Sequence, residues 1–166
     1  MNSSSVQRRR RVVRLATSLA GLTLIGALSG CGLTIPADPD GTLDTVTGGE
    51  LRVGTSPDGA LVEVRGDEPT GSIVELVDRF AESIHAEPDW TVASEETLVA
   101  MLEAGDLDLI AGGITPDTPW IDKAGVTRGY RGIDGADGRE LVMLVPLGEN
   151  AFLSRLETFL DAEAGQ

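Results

Sequence analysis

The sequence predicts an α/β fold with a mostly parallel sheet flanked by helices, and three observations support this prediction. Strand and helix signals alternate through the middle of the chain, as in β-α-β units with right-handed crossovers. Near the C-terminus, the apolar stretch RELVMLVP is followed by an amphipathic helical pattern. The chain has 166 residues, of which 41% are hydrophobic, enough for one modest domain with its own core.

The first part of the predicted domain contains two extended segments and a helix. Residues 50–56, ELRVGTS, predict a strand, and residues 60–66, ALVEVRG, predict a second short extended segment. The letters GDEPTG then indicate a turn. Ser72 followed by Glu75 fits a capping box at the start of a helix over residues 72–85. The apolar residues of this helix that share one face are Ile73, Leu76, Val77, Phe80 and Ile84.

The alternation continues with a strand, a helix and a strand. Residues 89–94, DWTVAS, predict a brief strand. Ser94 is the predicted N-cap of the next helix, which has Leu98, Met101 and Leu102 inside and ends at Gly105. Residues 107–113, LDLIAGG, then predict a strand.

The C-terminal part predicts one more strand and one more helix. Residues 139–146, RELVMLVP, predict a strong strand, and residues 149–163 predict an amphipathic helix. The residues on the apolar side of that helix are Phe152, Leu153, Leu156, Phe159 and Leu160.

The first 30 residues have the pattern of a lipoprotein signal peptide. QRRRRVVR is a basic region, and residues 15–27 form an apolar region of 13 residues, which is short for a membrane span. LSGC follows directly, and this resembles the bacterial lipobox, in which the cysteine, here Cys31, is diacylated after cleavage. The alternatives are an ordinary secretory signal with a chance cysteine, or an uncleaved anchor. The export route, general secretory or twin-arginine, stays open.

The segment after Cys31 predicts a tether, followed by an acidic domain. Residues 31–48 are rich in Pro, Gly, Asp and Thr, which is typical of a flexible linker, so the domain is expected over residues 49–166. Removal of residues 1–30 lowers the net charge from −14 to −19, because five arginines and no acidic residues are lost. Such a charge disfavours nucleic acid and anionic lipid head groups as partners, and a lipid is then the expected membrane attachment.

Catalytic and metal-binding patterns are weak in this sequence. His85, the single histidine, has no indicated nucleophile or second titratable group, so no catalytic role is expected. The single cysteine excludes an intramolecular disulfide, and one His with one lipidated Cys is too few ligands for a zinc or copper site. The acidic residues Asp38, Asp40 and Asp44 lack the spacing of a calcium loop. We therefore expect neither a metal nor a cofactor.

The loop after the strand at residues 107–113 is the candidate binding site. Ligands of open α/β sheets bind at the carboxyl ends of the strands, where this loop presents small and polar residues. The predicted ligand-binding residues are Ser56, Gly113, Thr115, Asp117, Trp120 and Arg128. The alternative is an irregular surface loop in which Trp120 and Tyr130 pack on the core.

Three stretches resemble the first lobe of the family 3 extracytoplasmic solute-binding proteins, the amino-acid-binding components of ABC importers. They are GGELRVGTSPDG, PTGSIVELVDRFAESI and SEETLVAMLEAGDLDLIAGGIT, and VMLVPLGENAFLSRLETFLDAEAG is similar to the segment that closes that lobe. The resemblance implies a single lobe of the type 2 periplasmic-binding-protein fold. Only RGIDGADGR stands where the family has its second lobe.

The resemblance also implies how a ligand is held, with two departures. Gly113 and Thr115 match positions whose backbone and hydroxyl hold a ligand carboxylate. The arginine of the family's pattern aligns with Trp120, and indole cannot replace a guanidinium. Arg128 is a candidate to reach the site from outside the family's position. The acidic residue for the ligand's amino group belongs to the missing lobe.

The sequence thus predicts a lipid-anchored, extracytoplasmic, non-catalytic solute-binding protein. Its expected partners are a small, amino-acid-like solute and a membrane permease, with no nucleic acid. The alternative is a degenerate single-lobe interaction module that docks on a membrane transporter or sensor and regulates it.

Overall fold

The computed structural model describes residues 38–66 and 68–165, which belong to one compact unit, Pro36–Gln166. The predicted signal peptide (residues 1–30), the lipidation site Cys31 and residues 31–37 of the predicted tether lie outside the described residues. The described elements are, in chain order, α1 (Thr42–Val46), β1 (Glu50–Thr55), β2 (Glu63–Val64), β3 (Pro69–Thr70), α2 (Ser72–Ser83), β4 (Glu87–Val92), α3 (Glu95–Ala104), β5 (Leu109–Ile110), β6 (Ala124–Val126), β7 (Leu144–Pro146) and α4 (Asn150–Glu163). No helix among the described residues is long and apolar enough to cross a membrane.

A five-stranded sheet in the order β4-β1-β5-β7-β6 forms the centre of the fold. β1 is parallel to β4 over six residue pairs and to β5 over two, whereas β7 is antiparallel to both β5 and β6. The predicted mostly parallel α/β sheet is therefore confirmed, with an antiparallel end. β2 and β3 form a separate two-stranded hairpin.

Helices cover both faces of the sheet. Successive residues of a strand point to opposite sides of the sheet, so each strand contributes side chains to the core on both faces. Leu109 packs in the core cluster that holds α2 and α4, and its neighbour Ile110 packs in the cluster that holds α3. Met143 and Leu144 divide between the two clusters in the same way. The sheet is thus the middle layer between helices, and a site is expected in the loops at the ends of its strands.

The helix predictions are confirmed, except for one cap. α3 begins after Ser94, whose hydroxyl accepts a hydrogen bond from the Thr97 N–H at 3.4 Å, and ends at Gly105. α2 lacks the predicted capping box, since Ser72 is already its first residue and donates its hydroxyl to the Asp134 carbonyl. Gly71 precedes it with φ 124°, and a Cβ there would lie 2.5 Å from the Leu61 carbonyl oxygen, so a glycine is required.

The strand predictions are partly confirmed. β1 and β4 lie close to the predicted positions, but the strand expected over residues 107–113 shortens to β5 and the strand expected over 139–146 shortens to β7. β6 was not predicted, because its three residues, Ala124, Gly125 and Val126, carry no strand pattern; its pairing with β7 creates it. The extended segment expected over residues 60–66 supplies β2 alone.

The predicted tether differs from the structure over residues 38–48. There α1 forms, and Val46 is fully buried in the core. The Asp38 carboxylate accepts hydrogen bonds from the N–H groups of Ala151 and Phe152 at the start of α4, at 2.7 and 3.1 Å. The composition of this segment predicted a linker. An aspartate can also accept hydrogen bonds from the free N–H groups at a helix start, and these bonds from α4 to Asp38 hold the segment on the domain.

Glu149 makes the reciprocal contacts, and we call Asp38 and Glu149 together the capping clasp. The Glu149 side chain, in a residue only 1% exposed, accepts hydrogen bonds from the N–H groups of Asp40 and Thr42, at 3.0 and 2.9 Å. Burial alone would raise the pKa of Glu149, but these hydrogen bonds outweigh it, and its pKa lies below the ordinary value of 4.5. The N-terminal segment is therefore tied to α4 by two carboxylates.

Candidate ligand-binding site

The loops that follow β1 and β5 lie together at the carboxyl edge of the parallel strands. The buried Thr55 hydroxyl donates to the Ala111 carbonyl at 2.7 Å, and the Ala111 N–H donates to the Gly54 carbonyl at 3.0 Å. These bonds fix the ends of the two strands side by side. Ser56 and Gly112, the next residues along each loop, are consequently neighbours. The structure thus brings Ser56 to the loop that carries Gly113 and Thr115.

The loop from Gly113 to Thr118 contains free hydrogen-bonding groups. Within the part of the chain that the structure describes, the N–H groups of Gly113 and Thr115 have no acceptor. The Thr115 hydroxyl donates to the Asp117 carboxylate, which lowers the pKa of this exposed acid. The Thr118 hydroxyl is buried and has no hydrogen-bond partner among the described residues. Unpaired donors of this kind are the groups that a polar ligand or water can satisfy.

Trp120 lies against α3. Its indole N–H donates to the Glu95 carboxylate at the first turn of that helix, and its ring packs against the α3 core cluster. The Lys123 ammonium lies 6.0 Å from the centre of the ring. The indole is half-buried, and its hydrogen-bonding N–H is already used within the fold. A stacking role for Trp120 stays a prediction.

Arg128 is placed differently from the prediction. Its guanidinium pairs with Glu157 at 3.3 Å and Asp161 at 2.9 Å, both on α4, and its N–H donates to Glu157 at 2.7 Å. Tyr130 joins the same contact, since its hydroxyl donates to Asp161, and burial together with this bond raises the pKa of Tyr130 to about 12. Arg128 therefore belongs to the packing of α4, because two carboxylates on successive helical turns attract it there.

An ion pair that the sequence did not indicate lies beside Gly113. The Arg139 guanidinium donates two hydrogen bonds to the Asp58 carboxylate, at 2.8 and 3.3 Å, and a third to the Ala136 carbonyl at 3.2 Å. A Cβ on Gly113 would lie only 1.5 Å from Oδ2 of Asp58, so the carboxylate occupies space that any other residue would fill. Asp58 and Arg139 are 81 positions apart, and no local pattern reveals such a pair.

His85 and a charged groove lie away from this edge. His85 is two residues before the start of β4, at the amino ends of the parallel strands, where Glu87 pairs with Glu50. A groove of about 530 Å³ near that edge is lined by charged residues that include Arg52 and Asp108. Among the described residues, no three His, Cys, Asp or Glu side chains are placed to hold a metal ion together.

Three structures that are similar in fold are arginine-bound. A mutant of domain 1 from TmArgBP in its arginine-bound form has 20% identity and a TM-score of 0.63, covering 72% of this chain and 96% of that one. The arginine-bound form of domain 1 from TmArgBP itself has 20% identity and a TM-score of 0.60, covering 68% and 92%. An ancestral arginine-binding protein bound to arginine has 10% identity and a TM-score of 0.58, covering 73% and 96%.

At the level of sequence there is no corresponding match: no protein-family model and no curated protein matches the chain. The structural likeness covers nearly the whole of a single domain, which agrees with the absence of a second lobe between Tyr130 and Arg139. The described residues therefore have the fold of domain 1 of TmArgBP.

Proposed function

We propose that this chain is the solute-binding component of an ABC-type, amino-acid-like transport system, held by a lipid on Cys31 at the extracytoplasmic face of the cell membrane. The observation that carries the proposal is the fold, because the similar structures include an arginine-bound form of domain 1 alone. A single lobe of this fold can thus hold a small solute. The signal-peptide pattern of residues 1–30 supports export and lipidation.

The solute contacts that we propose come from the loops at the carboxyl edge. Ser56, the N–H groups of Gly113 and Thr115, and the side chains of Thr115 and Asp117 offer donors and an acceptor to a small polar molecule. Trp120 follows these residues in the same loop, and its indole contacts Glu95 on α3. We propose a non-catalytic role, since the similar structures are arginine-bound forms of binding-protein domains.

Thermal unfolding of the full-length chain in detergent tests the proposal. The probes are the twenty standard amino acids, acetate and succinate. A solute that binds the folded state stabilises it by RT ln(1 + [L]/Kd), about 2.7 kcal/mol at a hundredfold excess over Kd. We expect one class of solute to raise Tm, and Thr115→Ala to abolish the rise.

Two variants provide the controls. Thr158→Ala removes a hydroxyl that bonds only within α4, and Arg128→Ala breaks the contact with α4. Both are expected to retain the solute response. Failure of every probe to shift the Tm of a cooperatively unfolding chain would contradict solute binding.

Mass spectrometry of the membrane fraction tests the lipid on Cys31.

A second function, an interaction module that regulates a membrane transporter or sensor, is favoured by a specific observation. The polar side chains of the candidate loops are largely paired within the chain: Thr115 with Asp117, Trp120 with Glu95, and Asp58 with Arg139. In a lobe that no longer binds solute, the polar side chains of these loops would pair with each other in this way. Solute-independent association with a membrane protein would support this alternative.

A further inference from the structure

The ion pair between Asp58 and Arg139 combines a carboxylate, a guanidinium and free N–H groups in one place. Two guanidinium nitrogens meet the two carboxylate oxygens, which is the bidentate geometry by which arginine recognises carboxylates. The same carboxylate lies against Gly113, whose N–H has no acceptor among the described residues. A carboxylate therefore already sits where the unpaired backbone donors of the loop begin.

Arg139 reaches this place from a distant part of the chain. It follows the short segment 131–138, which stands where a second lobe would be inserted, and it reaches back to the loop after β1. The segment that stands in place of a second lobe thus brings a positive charge to the carboxyl edge of the sheet. Trp120 stands at the position where the family that this chain resembles has an arginine, and its indole contacts α3.

The pair is open enough to exchange partners. The side chains of Arg139 and Asp58 are 38% and 34% exposed, in contrast to Asp108, whose side chain is 6% exposed beneath Arg52. Ion pairs with this exposure contribute little net stability. An incoming carboxylate can therefore replace Asp58 on the guanidinium without unfolding any element.

We propose that Arg139 is the carboxylate-binding residue of this lobe and that Asp58 is an internal competitor, which occupies Arg139 until a solute carboxylate displaces it. This inference rests on the proposed function and adds the residue that holds the solute's carboxylate, together with the residue that competes for it. It also predicts that the affinity of the natural chain is reduced by its own aspartate.

Calorimetric titration of the full-length chain in detergent tests the inference. The probe is the compound of the amino acid, acetate and succinate panel that binds best, compared with its carboxamide, in which the carboxylate charge is removed. Asp58→Asn should bind the carboxylate several-fold more tightly than the natural chain, because the competing charge is gone. Arg139→Gln should bind it on the order of tenfold or more weakly, as expected for loss of a charged hydrogen bond. The carboxamide should bind weakly to all variants.

Arg131 and Glu140 provide a matched control, because they form an ion pair on the same loop without a contact to Gly113. Arg131→Gln and Glu140→Gln should leave the affinity within about twofold. The inference is overturned if Arg139→Gln binds as well as the natural chain, if Asp58→Asn binds more weakly, or if the carboxamide binds equally well; the proposed function survives those results. If no compound binds any variant, both the inference and the proposed function fail.

Discussion

The two edges of the central sheet use charged groups in different ways. At the amino edge, Asp108 is buried and accepts hydrogen bonds from the Arg52 backbone and guanidinium, and the nearby capping clasp satisfies the N–H groups of two helix starts. At the carboxyl edge, the ion pair of Asp58 and Arg139 is about one-third exposed, and neighbouring N–H groups lack acceptors among the described residues. The amino edge thus pairs its charged groups with buried partners and helix starts, whereas the carboxyl edge leaves described N–H groups without acceptors.

Replacing Glu149 should have the largest effect on stability. Glu149→Ala leaves the N–H groups of Asp40 and Thr42 without their acceptor and releases one half of the capping clasp. We expect a loss of about 2–3 kcal/mol in the free energy of unfolding, measured by urea titration. Glu82→Ala, an exposed acid on α2, is the control and should change it by less than about 0.5 kcal/mol. An equal loss of unfolding free energy in both variants would contradict the proposed contribution of the capping clasp to stability.

The capping clasp should also make stability depend on pH. The pKa of Glu149 is lower in the folded state than its ordinary value of 4.5, so its contribution is fully present above that value. The contribution is lost as the pH falls through the lowered pKa, because protonation removes the charge that holds the N–H groups. Urea titrations from about pH 6 to pH 3 should show the stability difference between the natural chain and Glu149→Gln shrinking at low pH. A difference that stays constant or grows would contradict the assigned cause.

Two buried threonines offer a smaller, sharper comparison. The Thr127 hydroxyl donates to the Arg128 carbonyl and accepts from the Met143 N–H, both at 2.9 Å, whereas the Thr118 hydroxyl has no partner among the described residues. Thr127→Val should cost about 1–3 kcal/mol, and Thr118→Val should be neutral or stabilise the chain by up to about 1 kcal/mol. Thermal unfolding distinguishes them. A matching loss for Thr118→Val would show that its hydroxyl has a partner in solution.

The sequence predicted the elements whose signals are local. Helix α3 has a serine cap and a glycine stop, and α2 and α4 have clear apolar faces, so their positions could be read directly. The loop with Gly113 and Thr115 could be placed at the carboxyl edge because parallel strands end at one edge.

The features that were missed depend on contacts between residues far apart in the chain. Asp38 reaches α4 across 113 positions, and Asp58 reaches Arg139 across 81. Arg128 was assigned to the site because it follows the loop, but the folded helix α4 brings two carboxylates to it. Periodicity reports on neighbours within one element, and none of these pairs leaves a periodic trace.

Amide NMR of the isotope-labelled full-length chain tests most directly whether the loops at the carboxyl edge bind a small solute. Amino acids are added one at a time while the N–H signals are followed. We expect a solute that binds to shift the signals of Gly113 and Thr115 most, while those of Arg52 and Asp108 at the amino edge stay in place. Shifts confined to the amino edge, or no shifts with any amino acid, would contradict the claim.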